Sequence, residues 1–275
     1  MEIIKRLTGH SGCEVILCKK NEEYFIRKKS MEVAYNERLE AQIKKQIEVS
    51  TFEQSYFKVP IVKNIGIENW LYYADMEFIK GTTIINYLLN TNYKSILVLI
   101  DKIICIIEYF SKLEISEQEN YFEKILLKTN ETLLKTNLGE KLQNKFYITT
   151  ISKIEEFKKF TPSFCHGDFT LENIMITSNG ELYLIDFLDN FSQQINFDIV
   201  KIYQDIEGEW YKIKNEDMKI PKIKLLFFKE LFDKKIEEKF KEYKKIHYYL
   251  LALTFLRILP YTKDKKKYLK IKVMS

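Results

Sequence analysis

Cys165-His166-Gly167-Asp168-Phe169-Thr170-Leu171-Glu172-Asn173-Ile174-Met175-Ile176, followed by Leu182-Tyr183-Leu184-Ile185-Asp186-Phe187, is the stretch on which the reading of this chain turns. Asp168 and Asn173 stand five positions apart, just ahead of an apolar run with strand character. Asp186 closes the next apolar run, thirteen residues after Asn173. The residue types suit phosphoryl transfer. One carboxylate can orient an acceptor hydroxyl and accept its proton, and an amide oxygen and a second carboxylate can hold magnesium.

Working outward, the two sides of this stretch differ in texture. Residues 1–80 carry short β-like runs at 14–19, 23–27, 59–67 and 70–78, interrupted by one helical segment at 33–49 with Leu39, Ile43 and Ile47 on a single face. From Thr83 onward apolar residues recur at three- and four-residue spacing, and helices are expected over 84–89, 94–113, 119–134 and 139–159. The expected fold class is α+β, with a small β-rich lobe over 1–80 for nucleotide binding. A larger helical lobe over 81–275 would carry catalysis and acceptor binding, with the junction near Ile79-Lys80-Gly81.

Bulk composition narrows the classes. At 275 residues the chain can bury a large core, and its 46% hydrophobic content with 19 Phe and 18 Tyr argues against disorder. Met1-Glu2-Ile3-Ile4-Lys5-Arg6 lacks the apolar run of a secretion signal. The apolar segments 96–107 and 248–259 are interrupted by Asp101, Lys102 and Arg257, and both are too short to span a bilayer. Four cysteines without CxxC spacing and three scattered histidines fit free thiols in a reducing cytoplasm better than a zinc site. The net charge of +5 arises from intermixed charges except at Lys263-Asp264-Lys265-Lys266-Lys267-Tyr268, read as a solvated end rather than a nucleic-acid patch. Neither a nucleic-acid nor a membrane partner is expected.

His166-Gly167-Asp168, Asn173 and Ile185-Asp186-Phe187 together resemble the aminoglycoside phosphotransferase and choline kinase superfamily, small-molecule relatives of the protein kinases. The resemblance runs from the loop at Gly9 to the helix after Asp198. It implies a two-lobed protein-kinase-like fold with ATP or GTP and magnesium held between the lobes, and a small-molecule hydroxyl acceptor. Asp168 would be the catalytic base, with Asn173 and Asp186 as metal ligands. His166 resembles a residue that brackets the catalytic loop, although an imidazole can also serve as general base.

Further positions follow from the same resemblance. Only eight glycines occur, and four of them, Gly9, Gly12, Gly81 and Gly167, fall where nucleotide loops need backbone freedom. The loop Thr8-Gly9-His10-Ser11-Gly12-Cys13 can cradle phosphates through backbone N–H groups and the Ser11 hydroxyl. On Tyr24-Phe25-Ile26-Arg27-Lys28, aligning Ile26 puts Arg27 in the place of the family's phosphate-binding lysine. Lys28 is the alternative on the opposite strand face. Glu40, ahead of Ile43 and Ile47, is the preferred helix carboxylate, with Glu37 one turn earlier. Tyr72–Gly81 resembles the strand and hinge that hold adenine, through backbone groups from Glu77 to Ile79 with Met76 at the back of the base pocket. Asp198 resembles a helix-start Asp tied to the catalytic loop. Tyr203, Asp205, Glu207, Glu209, Trp210 and Tyr211 form an acidic, aromatic stretch that could receive a cationic acceptor if the side chains converge.

The leading expectation is an ATP- and magnesium-dependent phosphotransferase acting on a sugar or amino sugar, a choline-like amino alcohol, or an aminoglycoside. The alternative is a catalytically silent nucleotide-binding regulator, which the presence of Asp168, Asn173 and Asp186 disfavours. A protein kinase would bring an Ala-Pro-Glu segment and a long activation loop, and neither is in the sequence.

Overall fold

Two-residue turns shape the first sheet. Strands β1 (Glu2–Leu7), β2 (Cys13–Lys20) and β3 (Glu23–Ser30) form an antiparallel meander. The β2–β3 turn, Asn21-Glu22, has both residues at positive φ (49° and 65°), the primed geometry whose twist matches the flanking strands. A 3-10 turn over Val33–Tyr35 leads into helix α1 (Asn36–Ser50), followed by β4 (Val62–Glu68) and β5 (Leu71–Glu77). Asn69-Trp70 repeats the positive-φ turn between them. The sheet order is β1-β2-β3-β5-β4. Leu39, Gln42, Ile43, Gln46 and Val49 form the buried stripe of α1, at the spacing of one helix face. Leu39 and Ile43 pack with Cys13, Tyr72, Ala74 and Met76.

The chain continues through β6 (Gly81–Thr83), α2 (Ile84–Asn90), α3 (Tyr93–Lys112), α4 (Tyr121–Lys135) and α5 (Glu140–Phe157). Beyond α5 come β7 (Ile174–Thr177), β8 (Leu182–Leu184), α6 (Asn196–Ile206), α7 (Trp210–Lys214), α8 (Lys222–Lys239) and α9 (His247–Ile258). The second sheet has the order β6-β7-β8. β6 is an element that hydrophobic patterning does not signal, since Gly81-Thr82-Thr83 has no apolar alternation. Its pairing with β7 is close enough that a Cβ on Gly81 would meet the Ile176 carbonyl oxygen at 2.7 Å. Lys58 extends this sheet by a parallel bridge to Tyr183, accepting from Leu184 N–H and donating to Leu182 O.

This computed structural model describes residues 2–7, 12–53, 55–115, 121–136, 138–214 and 217–258. Within them the chain divides into two compact units. The first unites the residues up to Ile84 with Glu172–Asp189, and the second unites Ile85–Leu171 with the residues from Asn190 onward. The architecture is therefore α+β, with one β-rich lobe and one larger helical lobe. The helical lobe is built on apolar faces such as that of α3, where Ile96, Leu99, Ile100, Ile103, Ile104, Ile107 and Phe110 are buried. Among the described residues no helix is long and apolar enough to cross a membrane.

Candidate active site

In the β-rich unit, strand alternation separates Arg27 from Lys28. Arg27 stands opposite Asp75 in the β3–β5 ladder and holds it with two hydrogen bonds, Nε to Oδ1 at 2.6 Å and Nη2 to Oδ2 at 2.8 Å. Its guanidinium lies over the Tyr73 ring at 4.2 Å. Lys28 points to the other face, toward α1, where it is buried. Its ammonium donates to Gln42 Oε1 at 2.8 Å and meets Asp186 Oδ1 at 2.9 Å. Burial alone would push this ammonium down, but the Asp186 carboxylate outweighs burial and holds it above its ordinary value. Lys28, not Arg27, is thus the cation placed beside Asp186.

Helix α1 supplies the support. Gln42 meets Lys28, and Lys45, one turn on, donates to Leu188 O at 2.7 Å and lies 3.5 Å from Asp189 Oδ1. Glu40 takes another direction: it forms an i,i+4 ion pair with Lys44 at 2.7 Å on the outer side of the helix, and Glu37 is exposed. The polar partner of Lys28 on this helix is therefore an amide. Gln42 carries no carboxylate, so the family pattern of a helix Glu does not point to it. The available signal was the position of Gln42 between Leu39 and Gln46 on the buried stripe.

The hairpin β7–β8 brings Asn173 and Asp186 to one end of the same ladder, because Asn173 O accepts from Ile185 N–H at 3.0 Å. Asp186 has φ of 61°, a left-handed backbone that costs a non-glycine residue about 1 kcal/mol and that Asp tolerates better than most. Met76 is buried beside Ile43 in the α1 core, with Gln46 Nε2 at 3.9 Å from its sulfur. Glu77 N–H is taken by Ile61 O at 2.9 Å, and Ile79 O accepts from Gly81 N–H at 3.0 Å. Gly12 O accepts from Met31 N–H at 2.9 Å. Gly9 and Ser11 lie outside the described residues, as does the Lys263–Tyr268 run.

In the helical unit, the loop around Asp168 is held by α6. Asp198, in the first turn of that helix, accepts from the backbone N–H of His166 at 2.6 Å and of Gly167 at 2.9 Å. Gly167 sits at φ of 90°, which a side chain would strain. His166 is fully buried, and its Nδ1 accepts from Asp168 N–H at 3.3 Å, which suits a brace inside the loop. Asp168 itself is part-exposed, and its Oδ1 meets Lys201 Nζ at 3.0 Å.

The acidic, aromatic stretch that follows is engaged within the fold. Asp205 accepts from Leu171 N–H at 2.7 Å. Glu207 pairs with Lys229 at 3.2 Å and faces His247 Nε2 at 3.4 Å. Burial raises the Glu207 carboxyl, but His247 and Lys229 outweigh it and hold the group below its ordinary value. Tyr203 donates to Asp233 at 2.7 Å, and burial together with that carboxylate pushes its phenol far up. Glu209 pairs with Lys212 at 2.5 Å. These carboxylates meet internal donors rather than converging as a receptor for a cation.

Residues 19–212 match the family described as Phosphotransferase enzyme family, APH. The chain belongs to that family. No curated protein sequence matches the chain. Among solved structures, this phosphotransferase is similar to choline kinase LicA from Streptococcus pneumoniae, at 17% identity with a TM-score of 0.59, covering 100% of this chain and 94% of that one. The streptomycin–ATP ternary complex of APH(2")-IIa gives 15% identity and a TM-score of 0.63, over 98% of this chain and 89% of that one. A GDP and kanamycin complex of a second APH(2") enzyme gives 12% identity and a TM-score of 0.66, covering 100% and 93%. At these identities the likeness establishes the fold, a two-lobed kinase-like one.

The donor set of the phosphotransferase suits magnesium. Asn173 and Asp186 offer one amide oxygen and one carboxylate at the end of one hairpin, and magnesium takes few protein oxygens and fills its shell with water and phosphate. Among the described residues no group of three His, Cys, Asp or Glu side chains forms a denser cage.

Proposed function

We propose that this phosphotransferase moves the γ-phosphate of ATP to a hydroxyl of a small metabolite, with the sequence motif residues in the roles their chemistry suits. Lys28 meets the phosphates, its ammonium oriented by Gln42 and Asp186. Asn173 and Asp186 would hold magnesium, which supplies positive charge at the phosphate oxygens when bound. Asp168 orients the acceptor hydroxyl and takes its proton as the new O–P bond forms and the bond to the leaving ADP oxygen breaks. No covalent enzyme intermediate enters. The acceptor classes are sugars or amino sugars, choline-like amino alcohols and aminoglycosides, and GTP is the alternative donor.

The observation that carries this reading is the meeting of Lys28 with Asp186, since it joins the β3 cation to the carboxylate that ends the catalytic stretch. The test is magnesium-dependent ADP release from ATP across choline, ethanolamine, homoserine, hexoses, hexosamines and aminoglycosides. A hit that Asp168→Asn cuts to a small residual rate supports the proposal and names the acceptor class. ATP binding without turnover on any acceptor, or with water, favours the silent regulator. Absence of nucleotide binding overturns the reading.

A further inference from the structure

One stripe of α6 holds the catalytic loop at three points. Asp198, Lys201 and Asp205 stand at i, i+3 and i+7, the spacing of a single helix face. Asp198 accepts from His166 and Gly167 N–H, ahead of Asp168. Asp205 accepts from Leu171 N–H, behind it. Between the two carboxylates lies Lys201, whose Nζ is 3.0 Å from Asp168 Oδ1.

The two carboxylates and the lysine have different objects. Asp198 and Asp205 bind backbone, one on each side of Asp168. Lys201 binds the side chain of Asp168, the group that must face an acceptor hydroxyl. A carboxylate on a clamped backbone can still rotate about its side-chain torsions. An ammonium at hydrogen-bond distance from one oxygen limits that rotation. The pair is sheltered enough to act this way, with Lys201 at 16% and Asp168 at 28% side-chain exposure. An ion pair of two fully exposed groups would do little.

We infer that Lys201 is a positioning residue for phosphoryl transfer, acting through Asp168 by fixing the direction of its carboxylate. This inference rests on the proposed role of Asp168 as catalytic base. Lys201 is a point charge on a flexible stem, so Arg in its place keeps the charge and can reach the same oxygen, whereas Met keeps the length and loses the charge.

The experiment measures magnesium-dependent ATP turnover, with the acceptor found above or with water, in the native chain and in Lys201→Met, Lys201→Arg, Asp168→Asn and the Lys201→Met/Asp168→Asn double variant. Thermal midpoints confirm folding. Lys201→Met is expected to lower kcat about tenfold to a hundredfold, with KM for ATP within about twofold, the size of a misdirected catalytic group. Lys201→Arg recovers most of the lost kcat. In the Asp168→Asn background the Met substitution changes turnover less than about twofold, because residues that act as a unit are not additive. A kcat for Lys201→Met within about threefold of native, or an undiminished loss in the Asp168→Asn background, overturns the inference and leaves the proposed function standing. A native chain that does not turn over ATP, or an Asp168→Asn variant as active as native, overturns both.

Discussion

The ammonium of Lys28 and the carboxylate of Asp186, 158 positions apart in the chain, meet at 2.9 Å. One partner is buried and the other half-exposed, with side-chain exposures of 7% and 50%. A pair so placed keeps the lysine charged inside the fold while leaving part of the carboxylate open to solvent and ligand.

Removing the ammonium tests the proposed contact of Lys28 with phosphate. Lys28→Met is expected to weaken ATP binding about tenfold to a hundredfold, or about 1.4–2.7 kcal/mol, by isothermal titration. Unchanged affinity would take Lys28 out of the phosphate site.

Arg27→Met should behave in the opposite way. It strips a two-bond partner from Asp75, and both side chains are only 11% exposed. The expected loss in urea unfolding is about 2–4 kcal/mol, from a carboxylate left without its cation. ATP affinity of the folded variant stays within about threefold of native, because the two side chains point to opposite sheet faces.

Metal dependence is expected to run through Asp186. Chelation should reduce turnover to background, and excess magnesium should restore it. Asp186→Asn keeps a residue that accepts the left-handed backbone while removing the charge. Its half-saturating magnesium concentration should rise by about tenfold or more in a turnover titration. An unaltered magnesium requirement would assign the metal elsewhere.

Acid sensitivity of the helical lobe follows from Glu207. Its carboxyl is held below the ordinary value in the fold, so the native state binds fewer protons than the unfolded chain as pH falls toward the carboxylate range. The stabilisation is complete above the unfolded carboxyl's pKa and disappears as pH falls through the depressed folded one. Glu207→Gln should therefore lower the thermal midpoint at pH 7, at a cost of about 1–2 kcal/mol. The gap between variant and native should narrow as pH falls below the ordinary carboxyl range. A gap that widened in acid would contradict this ion pairing.

Much of this was legible from the chain alone, for identifiable reasons. The motif at Asp168, Asn173 and Asp186 is local in sequence, and the β-like runs on β2, β3 and β5 and the apolar face of α3 announced their elements, while on α1 Leu39 and Ile43 are buried as expected and Ile47 is exposed. What escaped was relational. Whether Arg27 or Lys28 faces α1 depends on the register of β3 against β5, which places Arg27 across from Asp75. The role of Gln42 depends on helix rotation relative to that face. The acidic stretch beginning at Tyr203 looked open because its counter-charges, Lys229 and His247, lie on α8 and α9. β6 forms only because β7 is there to pair with it.

The β-rich unit is discontinuous: its final strands and Asp186 come from Glu172–Asp189, after the whole run Ile85–Leu171 has been assigned to its neighbour. This has a consequence for biosynthesis. A nascent chain emerging N-terminus first exposes β1 through β5 and α1 long before the hairpin that gives Lys28 its carboxylate. The ammonium must wait, wet and without Asp186, until residue 186 has left the ribosome. A truncation ending before that hairpin would yield a sheet lacking the chemistry, so the two lobes cannot be separated by a single cut in the gene.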